Sequence, residues 1–355
     1  MHLKKVSYQI ARQSIYVLFF LFFNKNSIAQ YQRLQQNKQQ LLIGFYNCEN
    51  FYDTINQVNV VDEDFLPHSE KKYTQFVYGI KANRLSNVIY RLGVIENVNG
   101  IALLGLAEIE NKIVLTNLIE SALLKKYHYR YIHFDSKDPR GVDVALLYNP
   151  AQFIPYQYRP YTLTDETHFN TYATRDILYV KGRLNNEWVH ILVNHWPSRR
   201  GGEKSSASKR IWASSICKKI MDSVRLLDTG AKFIVMGDFN DNPNNKSIQQ
   251  LKMTNPFDKL YKAGIGSIAY NDAWNLFDQI LVSTQWKNAQ PLGRINFSLN
   301  NYKPIIYKNE EMIESTGKYA GYPKRTYNGN QFNAGYSDHF PVALIFTLKM
   351  TENPQ

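Results

Sequence analysis

The chain has 355 residues, enough for one large domain or roughly two of ordinary size, and ample for a buried core. Apolar residues make up 44% and charged residues 20%, which argues against a disordered, collagen-like or disulfide-dense chain. Cys48 and Cys217 are the only cysteines, too few for a disulfide framework and not in CxxC spacing for zinc. With 42 Lys and Arg against 30 Asp and Glu, the charge is +12. That excess suits a polyanion such as nucleic acid or an anionic surface, and equally a basic exported protein with no such partner.

At the N-terminus, Lys4, Lys5 and Arg12 precede the apolar run Ile15–Phe23, and Ser27 and Ala29 follow with signal-peptidase spacing. This is the pattern of a secretory signal peptide, residues 1–29, cleaved after Ala29. The nine-residue run is short of the about 20 residues that span a bilayer. A retained N-terminal anchor is the competing reading. No cysteine near the cleavage point suggests a lipid anchor. Loss of Lys4, Lys5, Arg12 and Lys25 with the leader takes the charge from +12 to +8 and the length from 355 to 326, so the mature chain stays basic. No later apolar run approaches about 18 residues, so a soluble protein is expected, secreted or periplasmic in a bacterium.

Residues 30–355 read as a single α/β domain with its core at about 41–348. In chain order, Leu41–Tyr46 has strand length, and Phe76–Leu92 has helical apolar spacing that Gly93 can stop. Ile101–Leu106 reads as a buried strand and Lys112–Lys126 as a helix. Val142–Tyr148, Asp176–Val180 and Val189–Asn194 read as strands. Ser205–Leu227 has helical spacing, and Phe233–Gly237, Gln279–Val282 and Val342–Phe346 complete the strands. The polar stretch Thr284–Tyr336, rich in Asn, Gly and Tyr, reads as long loops with short strands forming a substrate-facing rim.

Polar residues gather where these runs end. Asn47 and Glu49, Glu108 and Glu110, Asn194 and His195, and Asp238, Asn240 and Asp241 each follow a strand, while Asp338 and His339 precede the last one. One such residue is usually a cap or turn. Five sets point to a site, because ligands bind at the carboxyl ends of strands in α/β sheets. Glu108, Asp238, Asn240 and Asp338 offer hard oxygens of the kind Mg²⁺, Mn²⁺ or Ca²⁺ prefer. His195 and His339 can move protons near neutral pH. A divalent metal, carboxylates and two histidines together make a phosphoester hydrolase.

Gly237-Asp238-Phe239-Asn240 and Ser337-Asp338-His339-Phe340-Pro341 resemble the two signature motifs of the endonuclease/exonuclease/phosphatase superfamily, the DNase I-like proteins. The resemblance continues in the family's order through Phe45-Tyr46-Asn47-Cys48-Glu49-Asn50, Leu106-Ala107-Glu108-Ile109-Glu110, Asn194-His195-Trp196-Pro197 and Phe277-Asp278-Gln279-Ile280-Leu281. It covers about Leu41 to Leu348, and the secreted bacterial members are the subgroup most resembled. It implies a four-layer α/β/β/α sandwich of two mixed sheets. By position it implies Glu108 as principal metal ligand, with Asn47 beside it and Asp338 close to the metal. Asp238 and Asn240 would orient the attacking water and the scissile phosphate. His339 would pair with Asp278 as base or phosphate contact, and His195 would contact the phosphate and help protonate the leaving group. Arg140 and Asn47 would hold substrate phosphate. Gln279 departs from the Arg or Tyr that nucleases often carry there.

Other residues keep two readings. Arg199, Arg200, Lys204, Lys209 and Arg210 form a basic stretch that either holds a phosphodiester backbone or is solvated. Arg175-Asp176 reads as an ion pair, Asp143 as a carboxylate that orients Arg140 or is buried for structure, and Asp62, Glu63 and Asp64 as a solvated acidic turn. Glu49 and Glu110 sit one position out of register with the ligands. Cys48 is expected as a buried thiol, with a Cys48–Cys217 disulfide left open. The leading function is a secreted phosphodiesterase dependent on Mg²⁺, with Mn²⁺ or Ca²⁺ as alternatives, acting as an endonuclease on DNA and secondarily on RNA, with no obligate protein partner. The alternatives are a phosphomonoesterase or a sphingomyelinase-like lipid phosphodiesterase of the same fold, and a catalytically dead binding module. The 25 tyrosines offer stacking platforms for bases, or core and rim packing.

Overall fold

The computed structural model describes residues 38–95, 98–165, 172–287, 295–296 and 302–350. The expected signal peptide lies outside them. Twelve strands form two large mixed sheets. The first sheet contains β1 (Lys38–Phe51), β2 (Leu103–Ile109), β3 (Arg130–His133) and β4 (Asp143–Tyr148). The second contains β5 (Phe153–Tyr161), β6 (Ile177–Leu184), β7 (Glu187–His195), β8 (Phe233–Asp238) and β9 (Asp278–Val282). The chain then returns to the first sheet with β10 (Ile295–Asn296), β11 (Tyr302–Ile306) and β12 (Val342–Met350). Strand order is β10-β12-β1-β2-β4-β3, with β11 also on β12, in the seven-stranded sheet, and β9-β8-β7-β6-β5 in the five-stranded one.

Alternation sorts the strand residues into layers. Leu41, Ile43 and Phe45 of β1 face the second sheet and meet Val189, Ile191 and Val193 of β7 and Ile234 and Met236 of β8 in one buried layer. Gly105 of β2 belongs to that layer. A Cβ there would lie 2.7 Å from Met236 Sδ, so a side chain would force the sheets apart. The opposite face of the first sheet, with Leu42, Tyr46, Leu104 and Leu106, is covered by α1 (Gln75–Gly93) and α2 (Lys112–Ile119). The outer face of the second sheet, with Leu192, Val235 and Leu281, is covered by α3 (Glu203–Arg225). The result is the expected four-layer α/β/β/α sandwich. No helix among the described residues is long and apolar enough to cross a membrane.

Several boundaries differ from the sequence reading. The helix expected over Lys112–Lys126 stops at Ile119, and a short 3-10 turn follows at Lys125–Tyr127. From Ser121 onward the backbone bonds switch to a tighter spacing, with Leu124 N donating to Ser121 O and Tyr127 N to Leu124 O. β3 and β5 were not expected. Pro155 and Pro160 disguise β5, which pairs only with β6 and so tolerates missing N–H donors as an edge strand. Cys48 lies under α1 and α2, and Cys217 sits on the buried face of α3, on the far side of both sheets. Both are free and buried, so the disulfide does not form.

Candidate active site

Topology brings the polar strand ends to one edge of the sandwich. β1 runs parallel to β2, and β7 parallel to β8. Asp238 sits opposite His195 on one side and Asp278 on the other. β12 runs antiparallel to β1 with Val342 opposite Phe45, which brings residues 337–341 beside Asn47. Asn47, His195 and Asp238 each lie two residues beyond an inward-facing apolar residue, Phe45, Val193 and Met236, and Asp278 lies two before Ile280. The inter-sheet hydrophobic layer therefore ends in a wall of polar groups.

Glu108 breaks this parity. It lies in a register shift between Ala107 and Ile109, with a left-handed backbone (φ 61°). Glu49, Asn50 and Asn240 are also left-handed, at φ 51°, 53° and 50°. Such conformations cost non-glycine residues on the order of 1 kcal/mol each and cluster at functional sites. Here the turn re-aims Glu108, whose Oε2 accepts Asn50 N at 2.8 Å while Oε1 lies 3.8 Å from His195 Nε2.

Asp238 is the hub. Its Oδ2 accepts from Asn47 Nδ2 at 3.0 Å and lies 3.6 Å from His195 Nε2 and 3.9 Å from His339 Nε2, while Oδ1 accepts Asn240 N at 2.9 Å. His339 Nδ1 meets Asp278 Oδ2 at 2.6 Å, and Ser267 Oγ donates to the same oxygen at 2.6 Å. Asp338 Oδ1 lies 3.9 Å from His339 Nε2, and its Oδ2 accepts from Arg325 Nη2 at 2.8 Å. Ser337 Oγ fastens the last motif to β1 by donating to Asn47 O at 2.7 Å.

The charges follow from these neighbours. Burial pushes Asp238 up to about 6, and Asp278 adds to that rise against the opposing pull of His339. Burial lowers His195 well below its ordinary value, helped by the charges of Arg175, Arg140 and His339. Burial would also lower His339, but Asp278, Asp338 and Asp238 outweigh it and raise the imidazole well above its ordinary value. Near neutral pH the site thus holds one neutral and one cationic histidine.

The structure brings together Asn47, Glu108, His195, Asp238, Asn240, Asp278, Asp338 and His339. Arg140 stands at the flank. Burial opposes its charge, but Glu108 and Asp138 raise the guanidinium. Arg175 pairs with Asp138 at 3.1 Å rather than with Asp176, and Arg140 Nε meets the same carboxylate at 3.3 Å. Asp143 does not orient Arg140; it pairs with His133 at 3.2 Å and closes the base of loop 134–142. In the basic stretch, Arg210 is fully buried against Asp241 at 2.8 Å, and Arg199 Nε donates to Asn240 O at 2.8 Å. Both build the loop that carries Asn240, and only Arg200 and Lys204 are exposed as a backbone contact requires. Asp241 and Asn194 turn away from the site, Asn194 Oδ1 accepting Trp196 Nε1. Gln279 is buried on the outward face, donating to Asp241 O and Leu276 O, so here it is a packing residue that supports the loop carrying Asn240. Glu110 accepts Asp53 N at 2.6 Å and supports the loop after β1. Asp62 is buried and accepts Gln57 N, unlike the solvated turn expected, while Glu63 and Asp64 are exposed.

Sequence reasoning missed Arg325 and Lys81. Arg325 forks between Asp338 and Glu49, with Nε 3.1 Å from Glu49 Oε1. Lys81, on the buried face of α1, donates to Thr326 Oγ1 at 2.6 Å and Tyr336 O at 2.8 Å and lies 3.8 Å from Glu49 Oε2. Glu49 is therefore the anchor that holds residues 325 and 326 against the site. A buried lysine on an apolar helix face was the available signal.

The donor chemistry fits a hard divalent cation. Asp238, Asp278 and His339 each place a ligating atom within 4.8 Å of the others, but Asp278 and His339 are already joined to each other through Oδ2 and Nδ1. Glu108 and Asp338 have side chains 14% and 22% exposed at the open end of the wall. One or two carboxylates with retained water is how Mg²⁺ is usually held.

The sequence profile of the Endonuclease/Exonuclease/phosphatase family matches residues 42–348. A comparison with curated proteins finds no match. Among solved structures, an endonuclease/exonuclease/phosphatase family protein from Bacteroides thetaiotaomicron superposes with TM-score 0.51 at 14% identity, over 87% of this chain and 98% of its own. TDP2 from C. elegans gives TM-score 0.51 at 13% identity, over 87% of this chain and 75% of its own. A conserved protein of unknown function from Enterococcus faecalis gives 0.50 at 13% identity, over 88% of this chain and 100% of its own. At these identities the structural likeness concerns the fold, while the profile spans nearly the whole sandwich: the chain belongs to the endonuclease/exonuclease/phosphatase family.

Proposed function

We propose that this chain, a metal-dependent phosphoester hydrolase by its family, is an exported Mg²⁺-dependent phosphodiesterase that cuts DNA or RNA within the strand. The observation that carries the reading is Asp238 Oδ2, held by Asn47 at 3.0 Å between His195 at 3.6 Å and His339 at 3.9 Å. A carboxylate at about 6 is well placed to take a proton from water near neutral pH. A cationic imidazole has no lone pair for that task, so His339, fixed by Asp278, donates from Nε2 to a phosphate oxygen. The neutral His195 presents Nε2 on the other side of Asp238, where it contacts the phosphate. Asn240 and Asn47 hold the Asp238 carboxylate in place, and Arg140 supplies positive charge to substrate phosphate. A divalent cation held by Glu108 and Asp338, with Asn47 beside them, would neutralise phosphate charge and stabilise the developing oxyanion.

The basic chain favours a polyanion, +8 after loss of the leader from +12. The lipid reading is weaker, because the hairpin beside the site turns at Asn271-Asp272, a polar tip unlike a membrane-seeking one. Purified protein would be incubated with supercoiled plasmid, circular single-stranded DNA, RNA, a phosphomonoester panel and sphingomyelin, with Mg²⁺, Mn²⁺ or EDTA. Cleavage of circles that EDTA stops supports the reading, since circles have no ends. Release of phosphate or phosphocholine with every nucleic acid intact refutes it.

A further inference from the structure

A cleft of about 900 Å³ opens beside Asp338, between the hairpin at Ile268–Tyr270 and Ala273–Asn275 and the segment 314–329. It has more room than one phosphate needs, at the upper end of ordinary ligand pockets. Tyr270 and Tyr319 line it and are 69% and 46% exposed. Tyr322 joins the two walls: its hydroxyl donates to Asp272 Oδ1 at 2.7 Å and accepts Asp272 N at 2.6 Å, and its ring lies 5.7 Å from Tyr319. The aromatic wall is therefore preorganised. Lys318, 5.6 Å from the Tyr319 ring, and the exposed Arg200 put positive charge on the same cleft. Arg325 connects it to the catalytic wall through Asp338.

We infer that this cleft is a subsite for unpaired nucleotides, with bases stacking on Tyr270 and Tyr319 and flanking phosphates meeting Lys318 and Arg200, so that the preferred substrate is single-stranded nucleic acid. The inference rests on the nucleic-acid reading of the neighbouring site. An exposed aromatic face is useful only to a base whose own face is free. In a duplex those faces are buried against each other, and proteins read base edges in the grooves instead. Interleaved cations and aromatics are the arrangement that follows a flexible strand without reading its sequence.

The test compares a labelled single strand, its duplex, and a strand of equal length built from abasic units, with binding read by fluorescence anisotropy in EDTA and cleavage read with Mg²⁺. The wild type should bind the single strand more tightly than the duplex and discriminate against the abasic strand by about 5- to 150-fold per stacked base. Tyr270→Ala and Tyr319→Ala should lose most of that discrimination through KM, and Tyr319→Phe should keep it. Tyr156→Ala, at an exposed tyrosine on β5 outside the cleft, should bind as the wild type does. Strand cleavage indifferent to pairing and to both tyrosines overturns this inference alone. Phosphomonoester hydrolysis with no strand bound or cut overturns the nuclease reading and this inference with it.

Discussion

Replacing Asp278 by Asn asks whether His339 works as a cation. The two side chains meet at 2.6 Å, and Asn keeps the shape while removing the charge. A hydrogen bond to a charged group contributes about 1.5–3 kcal/mol. Its loss removes that support from the charged form and lowers His339. Burial, the largest influence on this imidazole and the one opposing its charge, then acts with less to balance it. At about pH 7.5 kcat/KM should fall on the order of 10- to 150-fold, and the loss should shrink as the pH is lowered and His339 regains its proton. Stability carries the same sign. Because the folded-state pKa of His339 lies above that of a free imidazole, the pair's stabilisation is complete below about pH 6.5 and is lost as the pH rises through the raised value. Asp278→Asn should lack this pH-dependent part in urea titrations. The assay is a pH profile of kcat/KM on a short oligonucleotide for both proteins. A loss of equal size at every pH would mean that Asp278 only positions the ring, and an undiminished rate would remove His339 from the mechanism.

Glu108→Ala should lose at least about 10³-fold in hydrolysis, a few kcal/mol of metal-borne stabilisation, with an unchanged circular dichroism spectrum; activity that survives both this change and EDTA would sink the metal assignment. Glu110 is raised to about 8, by burial first and then by Asp53 and Asp62. An acid raised in this way is stabilising while protonated, and that stability is lost as the pH climbs from its ordinary value through 8. Glu110→Gln should therefore be more stable than wild type above that pH, by at most about 5 kcal/mol, and little different at about pH 5; urea midpoints that move in parallel at both pH values would refute this. Cys48, pushed up to about 12 by burial, and Cys217, raised further by the same cause, should resist a thiol reagent in the native protein and both react in denaturant. A non-reduced mass two protons lower would contradict that pairing state.

The core strands were legible because the two apolar faces of each buried strand make continuous runs: Leu41–Tyr46 falls within β1, and Ile101–Leu106 and Val142–Tyr148 overlap β2 and β4 but start two residues and one residue early. The strand β5 was hidden because it pairs on one side only, so it carries two prolines and exposed tyrosines in place of an apolar run. At the site, Asn47, His195 and Asp238 were legible as polar residues that follow apolar runs, and Asp278 through the resemblance of its motif to the family's. Glu108 was legible only from its position after a strand, since its side chain reaches the site through a left-handed turn that no alternation rule encodes. Lys81 had only its place on an apolar helix face as a local signal, and Arg325 had none beyond its type. Lys81 meets Thr326 and Tyr336, 245 and 255 residues on, and Arg325 meets Glu49, 276 residues back; the antiparallel return of β12 onto β1 brings segment 325–339 against α1 and Glu49.

Two buried imidazoles flank the same carboxylate oxygen at 3.6 Å and 3.9 Å, yet burial leaves them in opposite charge states. The difference lies behind each ring. His339 turns Nδ1 to Asp278, and Asp338 also faces it, so its proton is held. His195 has no hydrogen-bond partner for Nδ1 among the described residues, and Arg175 and Arg140 stand on its side. Asp278, Asp338 and Asp138 thus divide the labour without touching one another: the first two keep a cation for phosphate, and the third gathers Arg175 and Arg140 where they disfavour a second one. A second cation beside Asp238 would hold that carboxylate ionised and lower its affinity for the proton of an attacking water. The neutral state of His195 is on this account as necessary to the base as the charge of His339 is to the phosphate, and Asp138→Asn should weaken catalysis from a position that meets neither Asp238 nor substrate.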